Sequence, residues 1–112
     1  MRIAVTGLGV VSALGVGVDR NFAALAAEQS GISPEPRILR SAHRLPVGEL
    51  KLTNEELHRM CGVELKEHLS RTALLGILAV REAIEDARLA SDARVGLVSA
   101  TSVGGMDLPE HF

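Results

Sequence analysis

The chain opens Met1-Arg2-Ile3-Ala4-Val5-Thr6-Gly7-Leu8-Gly9-Val10-Val11-Ser12-Ala13-Leu14-Gly15-Val16-Gly17, and the reading of this stretch decides the fold class. Ile3 to Val5 is a short apolar run rich in β-branched residues, the pattern of a buried strand. Glycine then recurs at 7, 9, 15 and 17, too often for a helix, where each glycine costs about 1 kcal/mol relative to alanine. The stretch therefore reads as a strand running into a tight loop. Asp19 follows as a candidate N-cap, Phe22, Leu25 and Ala26 share one face at helical spacing, and Gly31 stands where a left-handed cap would end the run. A first helix is expected over residues 19–30.

Beyond it, Pro34 and Pro36 interrupt regular structure, and Leu45 to Leu52 alternates in the manner of an edge strand or extended arm. Thr53-Asn54-Glu55-Glu56 fits a capping box, in which Thr53 accepts from the backbone of Glu56 and the Glu56 side chain returns the bond. A short helix ending near Gly62 should follow. Between Ser70 and Ala87, the apolar positions Ala73, Ile77, Val80, Ile84 and Ala87 step by four and three, widened by Leu74 and Leu78, which predicts a long amphipathic helix. Arg94 to Ser99 is a second short apolar strand, and Ala100 to Gly105 a second glycine-bearing loop before Met106 to Phe112. Strand, helices and strand in this order predict an α/β layered fold with a parallel sheet, since the connection is long enough for crossover helices. Both strands are apolar without an obvious solvent side, so the sheet is expected to be covered on both faces.

The 112 residues amount to one domain or a piece of one. A formal net charge of -2 leaves no basic surface for a phosphate backbone, and with two Phe, no Tyr and no Trp there is no aromatic platform on which bases could stack, so nucleic acid is not an expected partner. Hydrophobic residues at 46% support a core, which must be aliphatic. Cys61 is the sole cysteine and forms no internal disulfide, and the N-terminus lacks the order of a secretory signal, so a cytoplasmic location is expected. No apolar run approaches the roughly 20 residues of a membrane span, and no membrane insertion is expected.

Two chemical readings of local motifs fail on spacing. Gly7-Leu8-Gly9 after a strand has the opening of a dinucleotide fingerprint, but Ser12 occupies its third glycine position, and Gly15 and Gly17 prolong the loop where the helix should have begun. Cys61 lies near His58 and His68 in sequence, yet zinc needs further ligands and a nucleophile needs an oriented base, and neither lies nearby. Cys61 reads as a partly buried, inert packing residue at a helix end. His43 and His111 read as surface residues, and the alternation Glu64, Lys66, Glu67, Arg71 as a solvated helix face. No metal or cofactor is expected.

Taken together, Val5 to Gly15, Ser30-Gly31-Ile32, Arg81-Glu82-Ala83-Ile84-Glu85-Asp86-Ala87 and Thr101 to Gly105 resemble, in order and spacing, the N-terminal part of a β-ketoacyl-acyl-carrier-protein synthase. The opening VTGLGVVSxLG string is the most specific of the four. Ala13 replaces a proline common in this loop, and Ala100 and Ser102 depart from the small or glycine residues usual in the second. The resemblance covers the whole chain but well under half of the usual enzyme, so residues 1–112 are expected to be the front of the first half of a thiolase-like αβαβα layered fold. It implies a homodimeric acyltransferase that joins an acyl group to malonyl-acyl carrier protein by decarboxylative Claisen condensation, in fatty-acid or polyketide-type synthesis. The nucleophilic cysteine and two histidines of that family match no residue here, so no catalytic residue is assigned and the chain alone is expected to be inactive. The resemblance places Val103 where a side chain limits the acyl pocket, near the subunit interface, with Gly104 and Gly105 allowing close backbone approach beside it. The competing expectation is a freestanding, noncatalytic relative serving as a partner subunit.

Overall fold

The computed structural model describes residues 1–39, 45–63 and 69–105. Along the chain the elements are β1 (Val11–Ser12), β2 (Gly15–Val16), α1 (Val18–Ala26), β3 (Ile32–Ser33), β4 (Val47–Gly48), α2 (Asn54–Cys61) and α3 (Arg71–Asp86). β1 pairs with β2 and β3 with β4, each pair antiparallel, in the registers Val11 with Val16, Ser12 with Gly15, Ile32 with Gly48, and Ser33 with Val47. The fold is thus mixed α and β, as the sequence predicts.

The two helices with local signals form as expected. Glu56 N donates to Thr53 Oγ1 at 3.2 Å and Thr53 N to Glu56 Oε2 at 2.7 Å, completing the capping box at the start of α2. Gly62 ends α2 at φ 66, a left-handed conformation that glycine adopts without steric cost. Ser70 Oγ accepts from Ala73 N at 3.1 Å and starts α3. Between the two helices lies the core, Leu57, Cys61, Leu74 and Leu78, with Leu50, Leu52 and Val63 among the partly buried residues packed on it. Two arginines of α3 seal this unit. Arg71 donates to Leu52 O at 2.8 Å and Leu50 O at 2.7 Å, while Arg81 donates to Met60 O at 3.0 Å and to Cys61 O, satisfying carbonyls that the end of α2 leaves open.

Three expectations are corrected. The predicted strands Ile3–Val5 and Arg94–Ser99 join no ladder, and no parallel sheet occurs among the described residues. A strand is held by neighbouring strands, and these segments have none among the described residues: Ile3 is 85% and Val98 97% exposed. The first helix starts at Val18 rather than Asp19, because Gly17 is its N-cap and the Glu82 carboxylate on α3 supplies the missing cap, accepting from Val18 N at 2.6 Å. It stops at Ala26, with Glu28 rather than Gly31 taking the left-handed position at φ 54. Its buried face is also the opposite one, since Asn21 and Ala24 point inward and Phe22 is 71% exposed. The cause is polar. Asn21 Nδ2 donates to Gly15 O at 3.0 Å and Gly17 O at 2.8 Å, and Ser12 Oγ donates to Asn21 Oδ1, so the β1–β2 ribbon holds that face of α1.

Candidate functional site: the groove between α3 and residues 97–105

α3 is the element that positions both glycine loops. On one side, Leu8 N donates to Asp86 Oδ2 and Val10 N to Glu82 Oε2, each at 2.9 Å. Two residues of extended chain advance about 6.6 Å and four residues of helix about 6 Å, so carboxylates at i and i+4 match alternate backbone N–H groups. Gly7 and Gly9 make that approach possible, because a Cβ on either would collide with a carbonyl of α3, Ala83 O and Ala79 O respectively. On the other side, α3 and residues 97–105 enclose an open, mainly apolar groove of about 810 Å³. Gly76, Ile77, Val80 and Ile84 form the α3 wall, Leu97 and Ala100 face them, and Arg81 and Glu85 supply charge.

The groove contains two of the three pocket residues expected from the sequence. Gly104 and Gly105 line it, and Val103 does not, standing 67% exposed. Gly104 lies tight against its surroundings, since a Cβ there would sit 2.8 Å from Thr101 Oγ1 and 3.1 Å from Thr72 Cγ2. Gly105 has φ 86, in the left-handed region that favours glycine.

Among the described residues, the other chemically notable side chains do not converge on this groove. Cys61 is buried, and its thiol donates to Leu74 O at 3.4 Å. Burial pushes that thiol up, opposed by the positive charge of Arg81, which is the reverse of what a thiolate nucleophile needs. His58 is buried, with no hydrogen-bond partner for Nδ1 among the described residues. His43, His68 and His111, and Glu64, Lys66 and Glu67 of the expected charged face, lie outside the described residues, whereas Arg71 of that face binds the carbonyls of Leu50 and Leu52. No group of three or more metal-ligating side chains occurs among the described residues. At the start of α1, where a dinucleotide motif would seat a pyrophosphate, the Glu82 carboxylate is already bound. Glu49 accepts from Ile38 N at 3.1 Å, Leu39 N at 2.9 Å and Arg37 N. These backbone bonds, Leu39 foremost, hold its carboxyl below the usual range against the opposing effect of desolvation. No helix among the described residues is long and apolar enough to cross a membrane.

Over residues 1–111 the chain matches the family model described as β-ketoacyl synthase, N-terminal domain. The chain belongs to the β-ketoacyl synthase family. Among curated relatives, 3-oxoacyl-[acyl-carrier-protein] synthase 1 of Buchnera aphidicola is 32% identical over 111 residues, and the protein of the same name in Haemophilus influenzae is 33% identical over 109. Each alignment covers 92% of this chain and 26% of the relative, so the chain spans about a quarter of their length. No solved structure matches it. Within this β-ketoacyl synthase domain, sequence reasoning missed the roles of Glu82 and Asp86, which tie α3 to the first loop. The available signal was their i, i+4 spacing on one face of a well-marked helix. Nothing in the sequence marked Asn21 as buried.

Proposed function

We propose that this chain is the front portion of a β-ketoacyl-acyl-carrier-protein synthase with a thiolase-like layered fold, working in the cytoplasm as a homodimer. The observation that carries the reading is the family match along residues 1–111. The position of α3 supports it: one helix receives the backbone at Gly7 and Gly9 and also faces Leu97 and Ser99, as a crossover helix between two parallel strands would. In the reaction, the acyl group of a thioester passes to a nucleophile with release of the donor thiol, malonyl-acyl carrier protein loses CO2, and the resulting carbanion forms a C–C bond with the acyl carbonyl as the nucleophile leaves. No residue of this chain is assigned to that chemistry. Its part is to shape the fold and, through Val103, Gly104 and Gly105, one end of the acyl pocket.

The test uses the complete protein carrying this sequence, supplied with an acyl donor and malonyl-acyl carrier protein. Release of CO2 together with a 3-oxoacyl product supports the reading, and stable binding to another synthase without either product would make the chain a noncatalytic partner instead. Val103→Phe in the same protein tests the pocket. Transfer of a long acyl donor should fall relative to a short one, because each methylene is worth about 0.8 kcal/mol of burial and overpacking costs about 1 to 3 kcal/mol. An equal fall for both donors would return Val103 to ordinary packing.

A further inference from the structure

A second concavity, separate from the groove, lies between the β1–β2 turn, residues 50–52 and α2, with a volume of about 420 Å³. Leu14, Leu50, Leu52 and Met60 make its walls apolar, and Arg20 and Lys51 are its charged lining residues. No acidic residue lines it among the described residues. Lys51 feels the carboxylate of Glu49, but that carboxylate is taken up by the backbone N–H groups of residues 37–39. The guanidinium of Arg20 is placed. Its Nε donates to Leu14 O at 3.2 Å, and its stem lies over Gly15 so closely that a Cβ there would collide with it. A guanidinium held in this way has donors left for a planar anion, and an apolar wall with cations beside it matches a molecule with a short alkyl chain and a carboxylate head.

We propose that this pocket binds a medium-chain carboxylate, its alkyl chain against Leu14, Leu50, Leu52 and Met60 and its head at Arg20 and Lys51. The site is distinct from the groove along α3 and does not depend on the condensing reaction. The test titrates sodium octanoate into the complete protein, with the ε-methyl NMR signal of Met60 as the local readout, assigned with Met60→Leu. A saturable shift of that signal is expected. Affinity should rise from hexanoate to octanoate by up to about fourfold per methylene. Arg20→Gln should weaken octanoate about tenfold or more, the effect of removing a hydrogen bond to a charged group. Because Arg20 also bonds Leu14 O, exposed Lys51→Gln serves as the second variant and should weaken binding without altering the fold. Octan-1-ol binding as tightly as octanoate would overturn the carboxylate assignment, and no saturable change at Met60 would overturn the site.

Discussion

Leu74 and Val98 are both apolar residues in stretches that the sequence marks for burial, yet Leu74 is fully buried and Val98 is 97% exposed. The contrast extends to their regions. The unit of α2, α3 and residues 50–63 has a closed core and a bonded cap at each helix start, whereas residues 1–10 and 94–100 present Ile3, Val5, Leu97 and Val98 to solvent. Apolar content does not separate them. A helix satisfies its backbone internally and needs only one face covered, so two helices and an arm can close a core. A strand depends on lateral neighbours for its hydrogen bonds, and one apolar on both sides depends on two layers as well.

The sharpest way to break this comparison is amide hydrogen exchange. In the 112-residue chain, amides of residues 95–100 should exchange nearly freely, and in the longer protein proposed above at least about a thousandfold more slowly, the factor that an opening free energy of about 4 kcal/mol produces. Strong protection of 95–100 in the chain alone would show that the strand needs no further polypeptide. Next in size is a pair of truncations. Leu74→Ala should cost about 2 to 5 kcal/mol and abolish the helical circular dichroism of the chain, while Val98→Ala should change its stability by no more than about 0.5 kcal/mol. Comparable losses for the two would erase the distinction between the regions.

A smaller effect separates the capped helix from the rest. Thr53→Ala should lower stability by about 1 kcal/mol in chemical denaturation. The Thr53 backbone N–H, the largest influence, holds the Glu56 carboxyl below its usual range, although desolvation opposes it. The folded state therefore binds fewer protons than the unfolded state through that range, and stability rises with pH there. The contribution is complete above the ordinary glutamate value of about 4.3 and is lost as pH falls through the lowered one. Glu56→Gln should flatten the thermal midpoint between about pH 5 and pH 3, and an unchanged acid slope would show that the carboxylate is not bound in solution. The smallest effect is expected at Cys61. In the complete enzyme proposed above, Cys61→Ser should leave turnover within about threefold, since the thiol is buried in the core and bonds Leu74 O within α3. A loss of several hundredfold would make it catalytic.

The parts legible in the sequence were those whose cause lies within a few residues. Thr53 and Glu56 bond each other across one helical turn, Gly62 supplies the left-handed stop, and Ser70 caps α3 from three residues away. α1 was misread because its determinants are distant or polar. Its cap is Glu82, 64 residues along the chain, and its inward face is chosen by the amide of Asn21, not by Phe22 and Leu25. Of the candidate site, Gly104 and Gly105 reach the groove and Val103 stands outside its lining; the left-handed backbone at Gly105 is a conformation that apolar patterning does not encode.

By itself, the sequence determined the family, the two locally capped helices and the aliphatic character of the core. Each follows from residue identity or from bonds spanning one turn. Only the tertiary structure decided which face of α1 is buried, that Glu82 and Asp86 hold the opening segment against α3, and that Arg20 lies across Gly15 beside an apolar wall. These contacts join residues that are remote in sequence or lie on different faces of an element, and their geometry exists only once α3 has brought the two ends of the described chain to its opposite sides.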